Sequence, residues 1–189
     1  MPPKVKVTKE DIVREALELV RERGADALNA RELAGRLQCS TQPIFSNFES
    51  MEDLQRAVMD AAFEKYFAFL QEDVDSGQYP AFKAFGMGYI RFAKEERELF
   101  KMLFMCDRDG TPPVRTVDAE IAVDMIMHAN EISREVAELM HLESWVFVHG
   151  IATMLATSFF SPPWGLISDM LTDIYQGLRL RHVLKEDQT

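Results

Sequence analysis

Apolar side chains recur along this chain at the three- and four-residue spacing of amphipathic helices, and apolar and polar positions nowhere alternate for long. The pattern predicts an all-α protein of about nine helices. Capping residues, glycines and prolines between the apolar stripes set their limits. The predicted helices cover residues 8–23, 30–37, 41–48, 51–74, 81–94, 97–105, 114–140, 143–161 and 163–184, with a second candidate break at 128–130.

Polar side chains that can accept hydrogen bonds from free backbone amides precede several of these helices. Thr8 with Asp11, and Asn29 with Glu32, have the spacing of a capping box, in which each side chain bonds the other residue's backbone. Ser40 is expected to cap the third helix in the simpler way.

The second and third helices are short and are joined by only three residues, 38–40, as in a helix-turn-helix unit. Apolar side chains must lock such a pair together against a first helix. The second helix of the pair must present small polar side chains, since these bond base edges and phosphates. Leu33, Ala34, Leu37, Cys39 and Ile44 meet the first need, and Thr41, Gln42 and Ser46 meet the second.

The same stretch carries a pattern of longer range, made of Ile12-Val13-x-x-Ala16-Leu17-x-Leu19, Gly24, Arg31-x-Leu33-Ala34, Cys39-Ser40-x-x-x-Ile44-Phe45-x-Asn47-Phe48 and Ser50-x-Glu52-Asp53-Leu54. In order and spacing it resembles the tetracycline-repressor (TetR) family of transcriptional regulators. The resemblance implies a three-helix DNA-binding head, residues 1–50, joined to a larger helical bundle, residues 51–189, that binds a ligand and dimerises through the last two helices. Trp145-x-x-x-His149-Gly150 resembles a signature near the start of the penultimate helix in one branch of that family.

Four positions depart from the family pattern. The family usually has Tyr at Phe45, His at Asn47, Gly at Gln38 and Lys at Met51. The Tyr and Lys commonly contact DNA phosphates there, so Phe45 lacks a hydroxyl donor and Met51 lacks a charge. The backbone amide of Met51 still opens a helix, where the dipole favours an anion.

The candidates for DNA contact lie in the helix-turn-helix and in the N-terminal segment. For the helical residues the alternative is the surface of an ordinary bundle, and for the lysines it is a solvated tail. As an arm on the DNA backbone or minor groove, the lysines would add sequence-independent affinity. The candidates are Arg31, Thr41, Gln42, Pro43, Phe45, Ser46, Asn47, Met51, Lys4 and Lys6.

Phe and Met residues of the larger bundle are expected to form its core, and the resemblance implies that some of them line a small-molecule pocket. For a histidine on an apolar helix, a hydrogen-bonded core position is the alternative to a pocket role. The pocket candidates are Phe92, Phe104, Met105, Met125, His128, Trp145 and His149.

The last two helices are so apolar that a second copy of the chain is expected to cover them. A twofold four-helix interface would bury both and would set two reading helices about one DNA turn apart or a multiple of it. The candidate interface residues are Trp145, Val148, Ala152, Leu155, Phe159, Ile167, Met170, Leu171, Ile174 and Leu178.

The chain carries 31 acidic and 21 basic side chains, a net charge of −10, which argues at first against a nucleic-acid partner. The excess is unevenly placed, because residues 1–56 hold 9 basic and 10 acidic groups. The acidity of the larger domain therefore leaves DNA binding by the head open.

No catalytic motif is present in the sequence, and no cofactor or metal is expected. Glu138-x-x-His141 and Asp124-x-x-x-His128 have helical metal-ligand spacing but lack the further ligands of a helical di-metal site. Cys39 and Cys106 suit a reduced compartment, and the apolar stretch 144–168 is interrupted by prolines. We expect a cytoplasmic protein without membrane contact and without enzymatic activity.

The favoured function is a homodimeric transcriptional regulator, a repressor that a small-molecule effector releases from a double-stranded DNA operator. One alternative is a TetR-like sensing or partner-binding module that has lost specific DNA binding. Another is a helical enzyme or metal protein that uses His128, His141 or His149.

Overall fold

The architecture was analysed on a computed structural model, which describes residues 7–106 and 117–184. These residues form nine α-helices and one short 3-10 turn, with no strand among them, so the predicted all-α fold is confirmed. The elements are α1 (Lys9–Arg23), a 3-10 turn (Ala25–Ala27), α2 (Ala30–Arg36), α3 (Gln42–Asn47), α4 (Met51–Asp75), α5 (Ala81–Glu95), α6 (Arg97–Phe104), α7 (Val117–Asn130), α8 (Arg134–Ala156) and α9 (Trp164–His182).

The N-terminal caps follow the sequence prediction in part. Thr8 and Asp11 form the predicted capping box. Asn29 accepts hydrogen bonds from two amides of α2, but the box is incomplete because the Glu32 carboxylate instead pairs with a side chain of α1. α3 begins one residue later than predicted, with Thr41 rather than Ser40 at its N-cap position and without a side-chain cap bond.

Of the two breaks predicted in this region, the structure has the one near residues 128–130, whereas the favoured break at 141–142 is wrong. α7 ends at Asn130, Glu131 takes a left-handed φ of 55°, and Ser133 caps α8 by accepting from the backbone of Val136 at 3.4 Å. α8 then runs without interruption to Ala156. The family-like string that starts at Trp145 therefore lies in the middle of α8 and not near its start.

The described chain divides into two compact units. Unit 1 comprises residues 7–65 and 96–106, and unit 2 comprises residues 66–95 and 117–184. α4 contributes its first fifteen residues to unit 1 and the rest to unit 2. The predicted division after residue 50 differs from these units, because α6 and the first part of α4 group with the helix-turn-helix.

Unit 1 is a small core built around α1, which packs against α2, α3 and α6. A buried ion pair fixes the start of α6 to α1: both Glu96 carboxylate oxygens accept hydrogen bonds from Arg21, at 2.6 and 2.7 Å. Lys65 lies 3.4 Å from the same carboxylate, which is itself buried. The fully or nearly fully buried apolar residues are Ile12, Ala16, Leu19, Val20, Leu28, Leu33, Ala34, Ile44, Phe48, Leu54, Val58, Ala62, Leu99, Phe100 and Leu103.

Unit 2 is a helical bundle in which α8 packs against α5, α7 and α9. One buried cluster joins three of these helices and contains Val123, Ile126, Ala137, Met140 and Leu178. The end of α4 lies very close to α5 at Gly88, where an added Cβ would come within 3.1 Å of the Leu70 Cα and the Phe69 carbonyl oxygen. The packing of α4 on α5 therefore leaves little room for a side chain at position 88.

Candidate DNA-reading surface and ligand cavity

One side of the short helix α3 is fixed in unit 1 by buried apolar residues, and its other side presents small polar side chains to solvent. Ile44 and Phe48 are buried, whereas Thr41 and Gln42 are exposed at its start. Phe45 lies on the outer side with 51% of its surface exposed, which places an aromatic ring beside the polar groups. The sequence pattern predicted this division of inner and outer positions.

Two of the predicted DNA-contacting side chains are already engaged within α3. The Ser46 hydroxyl donates to the Gln42 carbonyl at 2.9 Å, and the Asn47 amide donates to the Pro43 carbonyl at 2.8 Å. Asn47 and Pro43 are also half-buried. Thr41, Gln42 and Phe45 are thus the most accessible side chains of this helix.

Most described cations of unit 1 are paired with acidic side chains of the same unit. Arg36 donates to both Glu22 oxygens, at 2.6 and 3.0 Å, and this hydrogen bonding lowers the pKa of Glu22. Arg23 pairs with Glu32 in the same manner at 2.6 Å. By contrast, Arg31 is exposed and has no ion pair with any residue that the structure describes.

Acidic residues of α4 itself, Glu52 and Asp53, lie in the first turn of this helix. Ser50 accepts from the backbone of Asp53 at 3.2 Å, and Met51 at the first helical position is half-buried. A backbone hydrogen bond, with a further one from Ser50, lowers the pKa of Glu52. A DNA phosphate at this helix end would therefore meet carboxylates beside the backbone amides. Lys4 and Lys6 lie outside the described residues.

Unit 2 contains a cavity of about 930 Å³ lined by the last part of α4 and by α5, α7, α8 and α9. Three of the predicted pocket residues line it, namely Met125, His128 and Trp145. His149 stands just behind the lining: its ring stacks on Trp145 at 5.0 Å, and its Nδ1 is 2.8 Å from the hydroxyl oxygen of Tyr89.

The other three predicted pocket residues lie elsewhere. Phe92 is completely buried against the rings of Tyr66 and Phe69, so its ring serves the core. Phe104 belongs to unit 1, where it packs on Phe63 and Phe100. Met105, also in unit 1, is exposed after the end of α6. An aromatic or Met residue on a helix does not by itself reveal which side faces a cavity.

Most polar groups of the cavity were missing from the predicted pocket residues, which included His128, whereas His141 was considered only for a metal or enzyme site. Asp118 and Ser144 are buried, with 9% and 5% of their surface exposed, and both line the cavity together with Tyr66 and His141. The usable signal was the spacing of His141, Ser144 and Trp145 on one helical face. The incorrect break at 141–142 hid it, because it left His141 outside the predicted helix that carried Ser144 and Trp145.

Burial is the main cause of the pKa shifts of Tyr66 and His141, two of the polar residues that line the cavity. The Tyr66 hydroxyl donates to Asp118 Oδ2 at 2.8 Å, and burial, reinforced by the Asp118 charge, raises the pKa of Tyr66 well above its ordinary value. Burial lowers the pKa of His141, and the nearby Asp118 charge opposes that shift. Within the described structure, His141 Nδ1 and the Ser144 hydroxyl are buried without a hydrogen-bond partner, which is costly unless a ligand or water satisfies them.

The predicted dimer residues require a correction, since many of them face the interior of unit 2. A side chain that its own chain already covers has no surface left for a partner. Trp145 lines the cavity, Met170 and Ile174 are half-buried, and Phe159 is 82% exposed just beyond α8. The candidates buried within the chain are Val148, Ala152, Leu155, Ile167, Leu171 and Leu178.

A different set of apolar residues is exposed on the same two helices. Leu139, Leu142 and Val146 follow one another at helical spacing on α8, and Leu166 and Leu180 lie fourteen residues apart on one side of α9. These positions escaped the sequence prediction because a helix that is apolar nearly all round gives no clear inner and outer face.

The described residues contain no group of three or more His, Cys, Asp or Glu side chains placed to hold a metal ion. α8 is long and apolar enough by composition to cross a membrane, a property that core helices of bundles share. Its residues Ala137, Met140, Ile151 and Ala152 are buried within unit 2.

The arrangement defines a class of protein: a helix-turn-helix unit joined through one long helix to a helical bundle with an internal cavity. Solved structures show the same fold. A protein of unknown function from Rhodococcus sp. RHA1 is 20% identical with a TM-score of 0.69, and the match covers 88% of this chain and 92% of that one. A member of the TetR family from Streptomyces coelicolor A3 is 12% identical with a TM-score of 0.58, and the match covers 88% of this chain and 96% of that one.

These similarities show that the chain has a TetR-like fold, as its sequence pattern indicated. No family model matches the sequence, and no curated protein does.

Proposed function

We propose that this chain is a TetR-family transcriptional regulator, a homodimeric repressor that binds double-stranded DNA through α3 and releases it when a small molecule occupies the unit 2 cavity. The observation that carries the proposal is the surface of α3. Thr41 and Gln42 are exposed at the start of a helix whose opposite side is fixed by Ile44 and Phe48. Amide and hydroxyl groups on a rigid helix suit recognition of base edges in the major groove.

A route for effector control runs through α4. Tyr66, on the later part of α4, lines the cavity, and Met51 at its start directly follows the helix-turn-helix. An effector that repositions Tyr66 would move a helix that continues into the head. To release DNA, the effector must bind the released state more tightly than the DNA-bound state.

The proposed assembly places the exposed apolar residues of α8 and α9 between two copies of the chain. Leu142, Val146 and Leu180 would then be covered by the partner. Twofold symmetry would give two α3 helices for two half-sites. A regulator of this kind acts in the cytoplasm and needs no enzymatic activity.

The DNA-binding proposal is tested by fluorescence anisotropy on duplexes that tile the DNA upstream of the protein's own gene, with competitor DNA present. We expect one duplex to bind specifically. The double variant Thr41→Ala/Gln42→Ala should bind it at least about tenfold more weakly, because base-edge contacts are lost. Gln78→Ala, an exposed change outside the helices, is the control and should bind like the wild type.

The second candidate function is a sensing or partner-binding module that has lost specific DNA binding. The observations that favour it are the paired arginines of unit 1, the carboxylates at the start of α4, and Met51 and Phe45 in place of phosphate-contacting residues. Absence of a specific complex with any tiled duplex at low salt, with folded wild-type protein, would favour this candidate over the repressor.

A further inference from the structure

The unit 2 cavity is apolar over most of its lining but includes one buried charged residue. Aromatic rings on four helices line it, including Phe85, Trp145 and Tyr175. Asp118, on the first turn of α7, is the only buried charged residue among the described lining residues. Its placement at a helix N-terminus helps to hold a carboxylate in this position.

The Asp118 carboxylate is incompletely compensated. Its described hydrogen bond comes from the neutral Tyr66 hydroxyl, and no Lys or Arg of the described chain pairs with it. A charge in a poorly hydrated site interacts strongly with an opposite charge, because water screens it less than at the surface. A buried anion with one neutral donor thus favours a ligand that brings a positive charge.

The cations that line the same cavity do not compensate Asp118. Lys83 is bonded to the Thr172 hydroxyl at 2.7 Å, and Arg179 donates to Asn130 at 2.8 Å. Neither side chain is buried as Asp118 is. They can attract anions at their own positions, but the buried part of the cavity is acidic.

Two further buried polar atoms of the cavity lining add hydrogen-bonding capacity. Ser144 Oγ and His141 Nδ1 are buried without a partner among the described residues, and both residues line the cavity. A protonated amine carries several donors, so it can bond the Asp118 carboxylate and still has donors for a second acceptor of the lining. The aromatic rings suit the rest of such a molecule, since rings attract cations and pack on flat apolar bodies.

From this geometry we infer that the effector is an organic cation: an aromatic or apolar body carrying a basic nitrogen, with that nitrogen held by Asp118. The inference rests on the proposed function in that the cavity is the effector site. It fixes the chemical class of a ligand that the TetR-like fold leaves open.

The test compares three probes with one aromatic body and different head groups: 9-(methylaminomethyl)anthracene as the cation, 9-anthracenemethanol as the neutral probe and 9-anthracenecarboxylate as the anion. Binding to the full-length protein without DNA is followed at pH 7.5 by anthracene emission excited through tryptophan, and by calorimetry. We expect the cation to bind at least about tenfold more tightly than the alcohol, and the carboxylate to bind most weakly.

The variant Asp118→Asn keeps the shape and an acceptor for Tyr66 but removes the charge. It should lower affinity for the cation at least about tenfold and leave affinity for the alcohol nearly unchanged. Asp169→Asn is the matched control, because Asp169 is an exposed carboxylate on α9 of the same unit and is not among the residues that line the cavity. It should leave both affinities unchanged.

Equal binding of cation and alcohol to the wild type would overturn the inference, and so would an Asp118→Asn protein that keeps full cation affinity. If Asp118→Asn fails to fold, the three-probe comparison on the wild type still decides the matter. Failure of all three probes to bind would also count against it. None of these measurements involves DNA, so they succeed or fail independently of the anisotropy test of the repressor.

Discussion

At the scale of single residues, the turn of the helix-turn-helix contains a strained position. Gln38 adopts a φ of 51°, in the left-handed region where the family pattern has glycine. A residue with a Cβ is strained by about 1–2 kcal/mol in this conformation, whereas glycine adopts it without strain. The departure at Gln38, visible in the sequence, therefore has a structural cost that the sequence could not show until the backbone was known.

Replacing Gln38 by Gly should stabilise the protein by about 1 kcal/mol, since relief of strain exceeds the added entropy of the unfolded chain. Urea unfolding measures the change. Gln55→Gly is the control, because Gln55 is exposed within helix α4, where glycine should destabilise by about 1 kcal/mol. Because both variants replace glutamine by glycine, opposite changes in the free energy of unfolding would isolate the effect of backbone conformation. Loss of stability in both variants would contradict the strain at Gln38.

A second residue-scale prediction concerns the pH dependence of stability. Burial lowers the pKa of His141 below its ordinary value of 6.5, and burial acts likewise on His149. Unfolded histidine therefore takes up protons more readily than the folded form. Above pH 6.5 both states hold the histidine neutral, so the difference in pKa between them does not affect stability. As the pH drops from 6.5 toward the folded-state pKa, the free energy of unfolding falls by up to about 1.4 kcal/mol per pH unit for each histidine.

Urea unfolding at pH 7.5, 6.5 and 5.5 measures that loss. His141→Gln should show a smaller decrease than the wild type, and Gln78→Ala, an exposed change that involves no titratable side chain, should retain the wild-type profile. Coinciding profiles for His141→Gln and wild type would show that His141 does not contribute.

At the scale of elements, the close approach of α4 and α5 gives a sharp prediction. A Cβ at Gly88 would lie about as near to backbone atoms of α4 as any contact allows, at 3.1 Å from Leu70 Cα. Gly88→Ala should therefore lower the free energy of unfolding by about 1–3 kcal/mol, although alanine favours helices. Gly35→Ala is the control, because nothing lies within 4 Å of a Cβ there, and it should stabilise by up to about 1 kcal/mol. Equal stability changes in the two variants would show that the approach at Gly88 can relax.

The ends of a helix could be predicted where capping residues or glycine mark them in the sequence. Thr8 with Asp11 defined the start of α1 because the two capping partners lie only three residues apart in sequence. The end of α7 near residues 128–130 was only a second candidate, because its left-handed residue is Glu131 rather than a glycine that the sequence would show. The favoured break at 141–142 was wrong, because α8 runs through it. That error hid His141 and Ser144, since the face they share exists only in an unbroken α8. Asp118 could not be predicted as a site residue, because its burial depends on Tyr66, 52 residues earlier.

At the scale of the whole molecule, the net negative charge and the ion pairs of the arginines together limit the cations available for contact with DNA phosphates. The net negative charge lies almost wholly outside the first 56 residues, and within unit 1 several arginines are neutralised by Glu22, Glu32 and Asp53. A protein of this kind has few free cations for non-specific phosphate contact. If it binds DNA as proposed, base-edge recognition by α3 must supply a larger share of the affinity.

The proposed assembly is the last whole-molecule prediction. Val146 is 59% exposed on α8 and belongs to the apolar surface that we assign to the partner copy. In a dimer, Val146→Glu would bury a carboxylate twice across the twofold axis, so the dimer dissociation constant should rise at least about a hundredfold. The fold should persist, because the side chain is exposed within one chain. Specific DNA binding should weaken with dissociation, since two half-sites then lose their linkage.

Analytical ultracentrifugation across a concentration series measures the dissociation constant, and circular dichroism checks the fold. Met59→Glu is the matched control: Met59 is also an exposed apolar residue, at 38%, but it lies on α4 in unit 1. It should leave the dimer intact. A Val146→Glu protein that remains dimeric at wild-type concentrations would place the interface elsewhere. A wild type that is monomeric at high concentration would remove the homodimer from the proposed function, because a single α3 would then have to bind DNA unaided.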